Sequence, residues 1–427
     1  MRDLLLVGVF FTLWLYCFRY PYIGPLLWAW ISMMSPHRLT FSFAFNLPFA
    51  QIAAATSLLI FLTTKKKFPF PRSAPAILLV VFFLWCSVTS LVSFNTPSVV
   101  FDMWMKVAKI QIMLFVTMML IGGRKTINLL LAVLSLSVAF YGVKGGIYTL
   151  THGGSGMVWG PSGSFIEGTN HLALAFIMVI PLMYYLLGEQ KNVWYRRALM
   201  LVIGLTVLAT LGTYSRGAFL AAVTMAFFLG MKSKRKALTL GIMATLLVGA
   251  VAFLPEQWSN KMSTISTHED HSAQSRIYTW QMIWNLALHH PITGGGYNVT
   301  ENMTTWEQYA VTAYAKAYSP HSIYFQALAE HGFVGLFLYL AIGIITWRYA
   351  SKIANQTRDG PDKDWVPQLM RMIQVSLVGF AAGGFFVNLV NYDLPYYLVA
   401  IVAMVGRDVI QSLPKSDQVL ASGSVSH

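Results

Sequence analysis

Apolar runs of roughly membrane length, separated by short polar connections, set the pattern of this chain. They fall at residues 4–34, 45–63, 75–94, 107–121, 126–143, 170–187, 198–214, 217–231, 237–254, 322–347, 372–387 and 396–410. An α-helix rises about 1.5 Å per residue, so about 20 apolar residues cross the hydrocarbon core of a bilayer. The first run is interrupted at Pro21 and Gly24. It is read as one crossing followed by a re-entrant or interfacial piece. No small-residue cleavage site follows it, so it is expected to be a retained span rather than a signal peptide. The pattern predicts an all-α, polytopic membrane protein of about 12 transmembrane helices, with one large outer loop containing short helices. Its expected divisions are transmembrane helices with short loops over 1–254, the large loop over 255–320, C-terminal transmembrane helices over 321–412, and a cytoplasmic tail over 413–427. No repeat of 20–50 residues is visible.

Composition agrees with a membrane setting. Only 11% of the residues are charged and 56% are hydrophobic, against about 25% charged in a typical soluble domain. The net charge of +14 is explained by its distribution. Lys65 to Lys67, Arg124-Lys125, Lys191 with Arg196-Arg197, Lys232 to Lys236, and the cations between Arg348 and Arg371 lie between apolar runs. Such clusters mark the cytoplasmic ends of spans, so a nucleic-acid partner is not implied. With them inside, both termini are expected to be cytoplasmic. Cys17 and Cys86 both lie within apolar runs and imply no disulfide framework.

This topology puts residues 95–104, 144–168, 215–217 and 255–320 on the outer face. The cations there are Arg38, Lys106, Lys109, Lys144, Arg216, Lys261, Arg276 and Lys316, and the orientation rule does not account for them. A cation near a membrane boundary is costly unless it is paired or faces an aqueous cavity. Snorkelling at helix ends is the plain explanation for Arg38 or Lys261. An outer cavity lined by cations suits an anionic, membrane-held ligand such as a lipid pyrophosphate. Lys106 and Lys109 either neutralise such a ligand or pair with Asp102. In the large loop, Ile277, Trp280, Trp284 and Leu288 recur at helical spacing. They predict a helix lying on the membrane or on the bundle, holding Arg276 near the headgroup plane. Gly294 to Gly296 predict a tight turn.

Four segments resemble the bacterial O-antigen ligase superfamily, which also holds O-antigen polymerases and protein O-glycosylation ligases. They are Gly163-Ser164-Phe165 with Asn170, Ala173 and Pro181-Leu182; Thr213-Tyr214-Ser215-Arg216-Gly217-Ala218; Ser275-Arg276 through Trp280, Trp284 and Ala287 to Pro291 and Gly294-Gly295-Gly296-Tyr297; and His321-Ser322-Ile323-Tyr324 with Leu328, Glu330, Gly332 and Gly335. Ser322 stands where many members carry asparagine. The N-terminal stretch, with Pro21 to Pro25 and Ser35-Pro36-His37-Arg38, looks closer to the exosortase-associated O-glycosylation ligase branch. The resemblance implies glycosyl transfer from undecaprenyl pyrophosphate to an acceptor hydroxyl at the periplasmic face of the inner membrane. In the ligase case the acceptor is lipid A–core. It also implies inversion at the anomeric carbon without a metal.

Residue chemistry fits those tasks. Guanidinium forks bind phosphate oxygens bidentately and stay charged, so Arg216 and Arg276 are the candidates for the pyrophosphate, with Lys106 and Lys109 beside them. His321 is the candidate general base, since histidine titrates near neutral pH. It is equally placed to touch the phosphate as a cation, or merely to hydrogen-bond near a helix start. Asn170, Tyr214, Tyr324 and Glu330 are possible supporting residues. Glu330 lies nine residues from His321, roughly on the opposite helix face, and is expected to pair structurally with a neighbouring helix, with His331 as the candidate link. His268-Glu269-Asp270-His271 and His289-His290 lack the spacing of standard metal sites, so no metal and no cofactor are assigned. No Gly-x-Ser-x-Gly turn is present for a hydrolase. The competing class is a transporter of lipid-linked sugars. Transporters favour internal repeats and broken segments near the midplane, whereas the special residues here gather at the outer boundary.

Overall fold

A computed structural model describes residues 1–232, 271–311 and 316–412. The expected span at 237–254, Lys234 to Lys236, the first part of the large loop with Lys261 and His268 to Asp270, and the tail 413–427 lie outside the described residues. Among the described residues the chain is all-helical, without strands. Six helices are long and apolar enough to cross a membrane: α4 (Ala74–Leu91), α6 (Arg124–Thr151), α7 (Thr169–Glu189), α8 (Val193–Gly212), α12 (Ile323–Gln356), and Val366–Phe386, which includes α13 (Val366–Gly383). The remaining helices are α1 (Arg2–Arg19), α2 (Ile23–Met34), α3 (Phe49–Thr63), α5 (Pro97–Leu120), α9 (Arg216–Lys232), α10 (His271–His289), α11 (Met303–Tyr309) and α14 (Asp393–Ser412).

Helix α7 is the central post. Residues 172–179 are all buried, because α6, α8, α9 and α13 pack around it. A helix that is apolar on every side is stable only when every side is covered. Helix α6 runs on through Lys144 to Thr151, so the outer loop begins eight residues later than the sequence pattern indicates. Its glycines serve close packing rather than a turn. A Cβ on Gly146 would lie 2.3 Å from the Leu205 carbonyl oxygen of α8, an approach that only a small residue permits.

The N-terminal run departs from the expected single crossing. Pro21, which has no N–H to donate, sits in the turn after α1. Helix α2 then carries the chain back. The Asp3 carboxylate accepts hydrogen bonds from the backbone N–H groups of Ser42 and Ala44, each at 3.2 Å. Both ends of the hairpin therefore lie together, at the end of the bundle opposite Arg124 and Arg407. The expectation of an N-terminus at the basic end is corrected accordingly.

That basic end is closed by satisfied cations. Arg124 forks onto Glu189 at 2.9 and 3.0 Å. Arg407 donates to the Met118 and Ile121 carbonyls and to Asp408. The opposite end holds the long connections, and they brace one another. The Phe94 N–H donates to the Gly295 carbonyl at 2.9 Å, and the Val158 N–H donates to the Gly212 carbonyl at 3.0 Å.

Candidate active site

The chain enters α12 through a strained residue. His321 has φ 45°, a left-handed conformation uncommon outside glycine but enriched for histidine, asparagine and aspartate. Ser322 follows in extended conformation as the N-cap, with no side-chain capping bond. Its buried hydroxyl meets no partner among the described residues. Helix α10 is pinned against this entry by Trp280. The Trp280 Nε1–H donates to the Pro320 carbonyl at 2.8 Å, and its ring stacks on Phe325 at 4.8 Å and 3°. Arg276 lies one helical turn before Trp280 and is thereby brought to His321. The imidazole of His321 is pushed down from 6.5 to about 4, first by burial, then by the positive charge of Arg276, then by His171. His321 is thus neutral at physiological pH and able to accept a proton.

His171 was not singled out by sequence reasoning. It lies in the first turn of α7, where its Nε2 hydrogen-bonds Asn388 Oδ1 at 2.8 Å. The segment 384–388, just beyond α13, is the hub of the region. It meets α7 through Asn388. It meets α12 at Gly384, where a Cβ would lie 2.2 Å from the Ile323 side chain. It meets α9 at Gly217, where a Cβ would lie 2.5 Å from the Phe386 ring. Arg216, adjacent to Gly217, is half-buried and opens α9. The turn before it is held by Tyr214, with φ 55° and its hydroxyl donating to the Gly154 carbonyl. Ser215 caps the helix, its Oγ accepting from the Ala218 N–H at 3.1 Å. The structure thus brings Arg276, His171 and His321 together and starts α9, with Arg216, on the same hub.

Other candidates sit elsewhere. Asn170 is half-buried in the first turn of α7, beside His171. Lys106 and Lys109 are exposed on α5, whose principal neighbours are α2, α3, α4 and α14, none of which carries Arg216, Arg276, His171 or His321. The Tyr324 hydroxyl donates to the Ala381 carbonyl at 2.8 Å, tying α12 to α13. The Glu330 Oε1 accepts from Gln326 Nε2 at 3.2 Å and from the Asn298 N–H at 3.3 Å. Gln326 Oε1 in turn accepts from the Val390 N–H at 3.1 Å. Glu330 therefore braces the 387–392 connection that carries Asn388, while its Oε2 lies 3.8 Å from His331 Nε2, the structural pairing expected for it.

The glycine run docks on a break in α12. Gly332 adopts φ 68° and ψ −172° inside that helix, which leaves upstream carbonyls without helical donors. The Gly295 and Gly296 N–H groups supply them, donating to the Ala329 and Glu330 carbonyls at 2.8 and 3.0 Å. Gly294 to Gly296 thus fasten the large loop to the bundle. Helix α10 forms as expected, but its apolar stripe is not covered. Ile277, Trp284 and Leu288 remain 52%, 49% and 59% exposed, while Met282, Ile283, Leu286 and Ala287 form the buried face.

Below His321 opens an apolar groove of about 340 Å³ between α12, α13 and α14, reaching from Ile323 and Tyr324 past Leu340 to Trp347 and Arg348. Among the described residues, no group of three His, Cys, Asp or Glu side chains is placed to hold a metal ion.

Comparison with known proteins adds two matches. Residues 1–191 match a family of unknown function (DUF5935), and residues 199–340 match the O-antigen ligase family. No curated protein matches the chain. The second segment contains Arg216, Arg276, His321, Tyr324 and Glu330, while His171 and Asn388 lie outside it. The similarity to the O-antigen ligase family thus covers about a third of the chain and includes the α9 start, α10 and the entry into α12.

Proposed function

We propose that this protein is an O-antigen ligase, moving a glycan from undecaprenyl pyrophosphate to lipid A–core at the periplasmic face of the bacterial inner membrane. One observation carries the reading. Arg276, His171 and His321 gather on the hub from which Arg216 starts α9, next to an apolar groove that begins at Ile323 and Tyr324. That combination fits a ligand with an anionic head and a long hydrocarbon tail. In this reading about 12 helices span the membrane, the basic end faces the cytoplasm, and the large loop is periplasmic.

The chemistry follows from the residue types. Arg216 and Arg276 hold the pyrophosphate oxygens and stabilise the charge that develops there. The acceptor hydroxyl attacks the anomeric carbon and passes its proton to His321. The new carbon–oxygen bond forms as the bond to pyrophosphate breaks, with inversion, and undecaprenyl pyrophosphate departs with the electron pair. Burial beside Arg276 keeps His321 unprotonated before the donor arrives. Lys106 and Lys109, exposed on α5, are assigned to the donor's approach rather than to the reacting centre. Protein O-glycosylation or glycan polymerisation uses the same donor chemistry and differs only in the acceptor.

The test is reconstitution of the purified chain with lipid-linked glycan and lipid A–core. Transfer to lipid A–core by wild type and its loss in His321→Asn are expected. Transfer only to a protein or to a second lipid-linked glycan would replace the ligase assignment by one of its relatives. Undiminished transfer by His321→Asn would remove His321 from the chemistry.

A further inference from the structure

At the far end of α10 from Arg276 lies a hollow of about 380 Å³ lined by Phe94, His290, Asn302, Thr304, Gln308 and Tyr309, with Thr305 at its floor. Fourteen residues separate Arg276 from His290, roughly 21 Å along the helix. The walls are fixed. The Tyr309 hydroxyl and His290 Nε2 share a hydrogen bond of 2.9 Å, and the Phe94 ring meets His290 edge to face at 4.7 Å. Asn302 is fully committed: its Oδ1 accepts from the Thr304 N–H at 3.0 Å and its Nδ2 donates to the Phe94 carbonyl at 3.2 Å.

The remaining polar groups have no such commitments. The side chains of Thr304, Thr305 and Gln308 hydrogen-bond to no other described residue. Among the described residues, no Lys, Arg, Asp or Glu lines the hollow. Preformed aromatic faces beside unengaged hydroxyl and amide groups, without charge, match a neutral pyranose. Its C–H face packs on a ring, while its hydroxyls take and give hydrogen bonds.

We infer that this hollow is a saccharide subsite, gripping a sugar of the glycan strand several units away from the one that reacts. The inference deepens the proposed glycosyl transfer and rests on it for the identity of the strand. A subsite this far from the reacting carbon makes long glycans better substrates than short ones. Binding energy from remote sugars then helps to position the reacting end. The strand belongs to the donor or to the acceptor, and the two are separable by varying each length alone.

The experiment uses the full chain in detergent and the free oligosaccharide released from the lipid donor, with binding followed by saturation-transfer NMR. Gln308→Ala and Tyr309→Phe remove polar groups without emptying the fold. Their combination is expected to weaken binding about tenfold, the effect of one or two lost neutral hydrogen bonds. In transfer assays the same double variant should lower kcat/KM for a many-repeat glycan and leave a single-repeat glycan unchanged. A length effect on the donor side assigns the donor strand, and one on the acceptor side assigns the acceptor. Equal binding by wild type and variant overturns the subsite while leaving the ligase reading intact. Binding that depends on Gln308 and Tyr309, with no transfer by wild type to any acceptor, overturns the ligase reading and keeps the subsite.

Discussion

His321 and His331 stand ten residues apart on the same stretch of chain, yet their surroundings are opposites. His331 is completely buried. Its Nδ1 bonds the Thr89 hydroxyl at 2.7 Å, its Nε2 lies 3.4 Å from Cys86 Sγ, and Tyr297 and Phe82 close on its faces. Every direction is taken. His321 is half-buried at a positive φ, hydrogen-bonds to no other described residue, and lies close enough to Arg276 and His171 to feel their charge. A histidine whose nitrogens are satisfied by its own protein is a strut. One whose nitrogens are left for something else, with its charge set by neighbours, is a reagent.

The sharpest way to break that contrast is to exchange the two losses. His321→Asn keeps a residue that tolerates the left-handed conformation. It should lower transfer by about 10²–10⁴-fold, the usual worth of a general base, with the thermal midpoint unmoved. His331→Asn should do the reverse. It removes the imidazole's bond to Thr89, leaving that hydroxyl only the Cys86 carbonyl, and opens a void, costing about 2–4 kcal/mol of stability while the folded fraction remains active. Both are read from thermal unfolding in detergent alongside transfer rates. Loss of stability in His321→Asn, or of specific activity in His331→Asn, would collapse the distinction.

Gly332→Ala extends the contrast to the backbone. The conformation at Gly332 is essentially reserved for glycine, and a Cβ would lie 2.3 Å from the Ile292 carbonyl oxygen. A cost of about 1–3 kcal/mol is expected from the strain alone, more if the Gly294–Gly296 docking is lost. Susceptibility of the large loop to limited proteolysis should rise with it. An unaltered digestion pattern would mean the glycine run does not depend on the helix break.

The pH behaviour of His321 has a definite sign. Its folded value is depressed to about 4 from 6.5, so the neutral imidazole contributes stability above about pH 6.5. That contribution is lost as pH falls through about 4. In kcat/KM the acid limb of the free enzyme should fall near 4 rather than 6.5. Arg276→Gln removes one of the causes and should move that limb upward, toward 6.5. A limb that stays in place in Arg276→Gln would mean that burial alone sets the value.

The helical bundle was legible because apolar runs of span length leave few alternatives. The there-and-back course of α1 and α2 was not, since Pro21 marks a break without saying which way the chain leaves it. Lys144 was read as loop because Gly145-Gly146 looks like a turn, and glycine's use as a contact surface depends on a partner helix distant in sequence. Arg216, Arg276 and His321 stood out as cations and an imidazole at the boundaries of apolar runs. His171 did not, although it follows Asn170 directly. Asn388 had only one signal, a polar residue interrupting the run from Val387 to Val390. Nothing in the spacing of 171 and 388 shows that they meet.

That pair gives the smallest effect. Asn388 touches His171 and is held by the same connection that Glu330 and Gln326 brace, so it acts on the site through position. Asn388→Ala should free the His171 ring and reduce kcat/KM about tenfold, within the range of one lost hydrogen bond and the misplacement that follows. Because His171 helps to depress His321, the acid limb should shift in Asn388→Ala as well, whereas a merely structural loss would lower the rate at every pH equally. Asn388→Gln retains an acceptor and should restore part of the rate. The comparison then becomes graded: His331 carries stability, His321 carries chemistry, and His171 with Asn388 tunes the second without touching the first. A pH profile in Asn388→Ala that is wild-type in shape would return His171 to the structural side.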